Sequence, residues 1–404
     1  MREPFETTLK KKIPLFDGSM GALLASMGYK SRCPELLCLE KPEVIASVHR
    51  SYLDAGCSVV ITNSLGASSI KLGKSSMAER SAELVTAAVG IARKEAGDDN
   101  YVALDIGSTG EFMQPVGTIP MKEMIASFLT EMEAGKAAGA DFALLETQTD
   151  IAECRAAAIA ARKAGMPAAA SFTFEKNGRT LTGGSPECCA LALGALGVFA
   201  MGINCSGGPS EMLKPLRAMR SVSPLPVIVQ PNAGLPETDA EGNTTYPYTA
   251  EMMQGAMQDI LDAGASAIGG CCGTTPEHIR RMAQLLEGRE GVQCSEVKET
   301  YLCSARTFVT AEEAGDGLCE IEDIEDLYDL EEEDRCAVLT LSGMSAEEAF
   351  ETVTEAQSMT KTPLAFRAED AAVLAAALTA YHGVAGVVGD ADDAVVREFG
   401  AIRL

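Results

Sequence analysis

From residue 13 to about residue 287, short apolar runs alternate with longer amphipathic segments. The runs at 13–16, 58–61, 101–104, 141–145, 167–171, 198–201, 226–229 and 265–268 are apolar almost throughout. That pattern marks strands buried on both faces rather than half-exposed ones. Between them, stretches such as 42–53 and 121–132 carry apolar residues at helical spacing, and Gly56, Gly139 and Gly264 fall where helices can be capped. Eight strand–helix units with buried parallel strands predict an α/β chain folded as a (β/α)8 TIM barrel, with an open doubly wound sheet as the weaker option.

The rhythm breaks after residue 288, and the stretch 312–334 is strongly acidic, so 291–336 is expected to be an acidic linker or exposed helix. An acidic docking surface for a basic partner is the sharper alternative. Strand-like runs resume at 337–341, 362–366 and 384–388, and Ser345 with Glu348 fits a capping box opening a helix. The expected division is a barrel over 1–290, the linker, and a small open α/β domain over 337–404. So few units cannot close a barrel and must hide their faces with their own helices or against the first domain.

Composition narrows the function. A net charge of −25 argues against nucleic acid or an anionic membrane as partner. The 13 cysteines are an odd number, scattered without a small-domain disulfide spacing, which indicates a reducing compartment. Residues 1–12 lack the apolar core of a signal peptide, and the longest apolar run, 188–203, is short for a membrane helix. The expectation is a soluble, cytoplasmic protein, with homo-oligomerisation open.

In a barrel, chemistry gathers at the C-terminal ends of the strands. Here those ends read Asp17-Gly18, Thr62-Asn63, Asp105, Glu146 to Gln148, Ser171, Asn204-Cys205, Gln230 to Asn232 and Gly270 to Gly273. Cys205 on one loop and the vicinal pair Cys271-Cys272 on another offer three thiols among glycines. That set suits one soft divalent metal with an open fourth position, the usual plan of a catalytic zinc site. A redox-active Cys271-Cys272 pair is the rival, disfavoured because adjacent cysteines close a strained ring. Cys188-Cys189 is also vicinal but lies in helical sequence, and His49, His278 and His382 form no zinc pattern. Three thiolates around Zn2+ leave a net charge near −1, poor for activating water but suited to holding another thiol as thiolate. The reaction class that follows is alkyl transfer to a thiol.

Residues 269–279, GGCCGTTPEHI, with 202–205, GINC, resemble the zinc signature of the homocysteine S-methyltransferase family. The stretches 17–21, 62–63, 105–111, 145–147 and 230–236 extend the resemblance over about residues 10–287. The last three are more similar to the homocysteine-binding module of cobalamin-dependent methionine synthase than to the betaine-dependent branch. The resemblance implies zinc on Cys205, Cys271 and Cys272, with Asn232 offering oxygen as a fourth ligand until the substrate sulfur displaces it. It further implies that Glu146 binds the homocysteine amino group and the Asp17-Gly18 loop its polar end, with Asn63 and Asp105 lining the same mouth. Residues 362–378 faintly resemble part of a folate-binding barrel, and the cobalamin-binding Asp-x-His-x-x-Gly is not matched, since Ala380 precedes His382-Gly383 where the Asp would stand. The methyl group is therefore expected from methylcobalamin on a separate corrinoid protein. The alternatives are a small free sulfonium or ammonium donor, such as S-methylmethionine or a betaine-like compound, or a non-catalytic homocysteine- or zinc-binding subunit.

Overall fold

The computed structural model describes residues 3–238, 244–294 and 296–404. Seven parallel strands, Val59–Ile61, Tyr101–Gly107, Phe142–Gln148, Ala168–Phe172, Ala200–Asn204, Val227–Gln230 and Ala267–Ile268, stand side by side in chain order. Parallel bridges from Leu15 to Ile268 and from Phe16 to Val59 insert the remaining strand and close the sheet into a barrel. Two strands run on to Gly107 and Gln148, beyond the expected ends at Leu104 and Leu145. Asp105 in one and Glu146, Thr147 and Gln148 in the other are polar, so the apolar pattern breaks there although the ladder continues.

The barrel interior is one buried cluster containing Phe16, Val59, Ala103, Phe142, Leu144, Ala169, Ala200, Ile228 and Ala267. Its small alanines leave room for Phe5 from the N-terminal helix Phe5–Thr8, whose ring stacks on Phe142 at 4.5 Å. Phe142 begins its strand, so this plug closes the end away from the functional loops and leaves the other end open.

A second sheet holds five parallel strands in chain order: Leu318–Ile321, Cys336–Thr340, Leu364–Arg367, Gly386–Val387 and Ile402–Arg403. Parallel neighbours taken in sequence order with right-handed crossovers put every connecting helix on one face, as in part of a barrel. The other face is covered by the hairpin of Tyr301–Cys303 and Phe308–Thr310, where Leu302 and Ala314 bury against Cys336, Val338 and Ala365. The stretch expected as a linker therefore supplies a hairpin and an edge strand. Its apolar positions are few because the strands are short and one is an edge. Its acidic side chains lie outward, as with Glu320, which pairs with Arg367 at 2.6 Å.

The helix Ile151–Ala164 joins the two parts. It is buried from Ile151 to Ala161, and six of those residues are alanine, which lets neighbours approach on every side. Arg155 is buried there and donates to the carbonyls of Leu378 at 2.9 Å and Gly383 at 3.3 Å, both beyond the barrel.

Candidate metal and substrate site

Cys205 leaves its strand in the left-handed region at φ 56°, and Thr147 does the same at φ 55° on a neighbouring loop. Such backbone needs surrounding support. Asn204 supplies it: its amide donates to Thr147 Oγ1 at 2.7 Å, and its Oδ1 accepts from Thr147 N at 3.2 Å and from Ser171 Oγ at 2.8 Å. The Cys271-Cys272 turn is fixed by bonds from Cys271 N to Pro231 O and from Ala233 N to Cys272 O, each 2.9 Å. Gly270 must lack a side chain, since a Cβ there would lie 2.4 Å from Thr274 Oγ1.

Asn232 clasps the two loops together. Its Oδ1 accepts from Cys272 N at 3.0 Å, and its Nδ2 donates to Cys205 O at 3.4 Å. The sulfurs of Cys205, Cys271 and Cys272 consequently lie within 4.8 Å of one another, with Cys205 and Cys272 3.5 Å apart. Hydrogen bonds from Cys205 and then Cys271 hold the Cys272 thiol down at about 3, while that of Cys271 is raised. A divalent cation seated among the sulfurs must displace the protons they hold.

Beside the thiols lies a buried acidic group. Asp17 accepts from Ile61 N at 2.9 Å through Oδ2, while its Oδ1 has no partner. Asp105 Oδ1 is also unpartnered, as are Gln148 Oε1 and both amide atoms of Gln230. Burial pushes Asp17 and Asp105 well above the usual carboxylate range and Glu146 up to about 7, against the hydrogen bond Glu146 shares with Asp105. Glu35 is buried too and takes the Gly66 N–H at 2.7 Å. Buried acceptors left without donors are costly, so this mouth is built for a polar guest, and its charge favours a cation. Gly18 lies tightly beneath it: a Cβ would come 2.7 Å from Thr274 Oγ1 and 2.9 Å from Tyr52 Cε1.

Asn63, expected either to line the mouth or to tie two loops together, has its side-chain nitrogen engaged between loops. Its amide nitrogen is spent on Pro34 O at 2.8 Å and lies 3.5 Å from Cys38 Sγ, so its donor ties two loops together instead of facing a ligand. None of the three histidines joins the thiols: His49 is buried, and His278 caps its helix and bonds Tyr248 O at 3.0 Å. His382 lines a cleft of about 640 Å3 between residues 113–121 and the second sheet's helices, a space that no thiol lines among the described residues. Asn204 stood among the strand-end residues beside Cys205 with no role assigned to it, and the structure gives it one as the clasp of Thr147 and Ser171. Glu35 and Tyr246, whose ring packs on Gly273, were not anticipated and come to the site through segments that no local spacing predicts.

Residues 14–286 match the homocysteine S-methyltransferase family. The chain belongs to that family. It is 34% identical over 295 residues to the methionine synthase of Mycobacterium tuberculosis (strain ATCC 25618 / H37Rv), covering 68% of this chain and 25% of that one. The methionine synthase of Mycobacterium leprae (strain TN) is 32% identical over 297 residues, 68% of this chain and 24% of that one. The chain thus spans about a quarter of the length of these relatives. Among solved structures, the homocysteine methyltransferase MmuM from Escherichia coli in its metallated form superposes with a TM-score of 0.58 at 27% identity, covering 70% of this chain and 99% of that one. Its oxidized form gives the same TM-score at 26% identity, with the same coverage. The chain's barrel fold is shared with MmuM. Among the described residues no helix is long and apolar enough to cross a membrane.

Proposed function

We propose that this protein methylates the thiol of homocysteine to give methionine, with zinc held by Cys205, Cys271 and Cys272 and the methyl group brought by a methylated corrinoid on a partner protein. The observation that carries the reading is the meeting of three sulfurs within 4.8 Å with a buried carboxylate cluster in one barrel mouth. The donor set suits the metal: three soft sulfurs, partly buried, on loops clasped by Asn232. When bound, zinc supplies the Lewis acidity that keeps a fourth sulfur as thiolate at neutral pH.

The chain's own groups do the rest. Glu146 and Asp105 receive the homocysteine ammonium, with the free Oδ1 of Asp17 as a further acceptor. Glu146 also feels the charge of Cys272, so an amine on the carboxylates leaves its own sulfur end directed to the triad. Fixing both ends of a short amino acid orients the sulfur for in-line displacement. Burial of Asp105, Glu146 and Asn204 keeps bulk water from the base of the mouth.

Two observations support a protein-borne donor. One is the likeness to methionine synthases. The other is the rim: Leu65, Phe112, Val116, Leu181 and Leu235, on four loops at the sulfur end of the barrel, are all exposed, Val116 by 80%. An apolar ring around a polar centre suits a docking partner. The likeness to MmuM, a chain covered almost entirely by this barrel, supports a second reading with a small free sulfonium donor. Zinc-loaded protein should form methionine from homocysteine with methylcobalamin, free or protein-bound. Methionine from S-methylmethionine alone selects the second reading, and none from any donor overturns both.

A further inference from the structure

Two non-glycine residues at the site have positive φ, Thr147 and Cys205, and Asn204 is bonded to the first and adjoins the second. Thr147 follows Glu146 at a bulge: from Leu145 to Gln148 the strand advances three positions, while its neighbour advances two, from Ala170 to Phe172. A bulge of this kind re-aims a side chain and takes a residue out of the ladder. The buried side chain of Asn204 replaces the lost ladder from the strand after next. It reaches past Ser171, whose side chain is short, and the strands are close-set there, since a Cβ on Gly202 would lie 2.9 Å from Ser171 Cβ. Its Oδ1 accepts from Thr147 N at 3.2 Å and its Nδ2 donates to Thr147 Oγ1 at 2.7 Å, a double grip on one residue. Thr147 N can only donate, so it fixes which end of the amide is oxygen. Asn204 is itself held from the other side, its carbonyl accepting from Thr173 Oγ1 at 3.0 Å and from Ser206 Oγ at 3.2 Å.

We infer that Asn204 is a positioning residue that fixes the span between the carboxylate for the substrate's amine and the sulfurs for its thiol, so that the site selects an amino-acid thiol by chain length. The inference rests on the substrate reading proposed above and deepens it. Glu146 is aimed by the bulge that Asn204 grips, and Cys205 continues directly from Asn204. One buried amide therefore stands between the two ends of the site, and neither end can shift without breaking its bonds. A substrate held at its nitrogen and its sulfur must match that span, as homocysteine would and its homologues one carbon shorter or longer would not. A side chain that merely filled the barrel would affect stability and leave the preference among chain lengths where it was, which separates the two roles.

The test is calorimetric titration of the zinc-loaded full chain with homocysteine, cysteine and 2-amino-5-mercaptopentanoate, with zinc content followed by metal analysis. Wild type should bind homocysteine about 10- to 200-fold more tightly than either homologue. Thr147→Val keeps the branched shape and loses only the bond from Asn204 Nδ2, and its preference should fall about 3- to 10-fold. Asn204→Ala loses the whole grip and should retain a preference of no more than about threefold. Thr147→Ser restores the hydroxyl and should match wild type. Thr147→Val leaves the cysteine loops untouched, so it decides the matter even if Asn204→Ala sheds its zinc. A wild-type preference kept in Thr147→Val, a Thr147→Ser as relaxed as Thr147→Val, or a wild type indifferent to chain length overturns the role of Asn204 and leaves the substrate reading standing. Homocysteine bound by wild type no better than 4-mercaptobutyrate overturns both.

Discussion

Replacing Glu146 with Gln keeps the side-chain shape and removes the charge held for the substrate's ammonium. A buried hydrogen bond to a charged group is worth roughly 1.5–3 kcal/mol, and the neutral amide keeps some of its acceptor strength. Asp105 and the unpartnered Oδ1 of Asp17 remain beside it, so a loss of about 2–3 kcal/mol is expected. That corresponds to about 30- to 150-fold weaker homocysteine binding. The assay is calorimetric titration of zinc-loaded wild type and Glu146→Gln with homocysteine and with 4-mercaptobutyrate, which keeps the thiol and lacks the amine. The amine-free thiol should bind both proteins alike. The pH dependence has a definite sign. Burial keeps the Glu146 proton on up to about 7, and only the carboxylate pairs well with an ammonium. The ratio of homocysteine to 4-mercaptobutyrate affinity should therefore rise as pH climbs through about 7 in wild type and stay flatter in the variant. Taking the ratio cancels the proton released by the thiol itself. A loss under about threefold, or an equal loss for both thiols, would refute the placing of the amine on Glu146.

The same carboxylate predicts a stability effect. Its folded pKa lies above the unfolded value near 4.3, so the fold holds more protons than the unfolded chain between that value and about 7, and its contribution is lost as pH rises. Glu146→Gln should thus gain melting temperature relative to wild type at pH 8 but little at pH 5; the opposite trend would contradict the burial argument. Arg155→Ala leaves a void and two unpaired carbonyls, at Leu378 and Gly383, and should cost about 3–5 kcal/mol in urea unfolding, with faster proteolysis after residue 337. An unchanged midpoint would show that Arg155 does not join the two parts. Gly18→Ala should destabilise by about 1–3 kcal/mol through contact with Thr274 and Tyr52 and weaken homocysteine binding; normal binding would show that the loop gives way. Leu181→Glu with Leu235→Glu should lower turnover with a protein-borne corrinoid about tenfold, roughly 1.4 kcal/mol, while sparing free methylcobalamin; equal effects on both donors would remove the rim as docking surface.

Hydrophobic patterning locates the barrel's strands because buried parallel strands are apolar on both faces, and Cys205, Cys271 and Cys272 are legible because thiols at two strand ends have few other uses. The pattern misses what is paid for in polar or short elements. Asp105 and Glu146 belong to strands yet read as loop, and Leu318–Ile321 is an edge strand hidden in an acidic run. Asn63 stands out in sequence as a strand-end residue, but the bond from its Nδ2 to Pro34 O, between two loops, is not disclosed by spacing. Asn232 is more subtle: its oxygen, expected to face a metal, accepts from Cys272 N, a bond between loops 40 residues apart that spacing cannot disclose. The run of alanines in Ile151–Ala164 is a signal of close packing, since small side chains let neighbours approach the helix from several sides.

The central claim is that Cys205, Cys271 and Cys272 hold one zinc ion and leave a place for the substrate's sulfur. Zinc K-edge X-ray absorption on the zinc-loaded protein, before and after homocysteine, reads this directly. Three sulfurs at about 2.3 Å with one lighter ligand, becoming four sulfurs when homocysteine is added, is the predicted result. Fewer than three sulfurs, or a sulfur count that does not change with homocysteine, would contradict it.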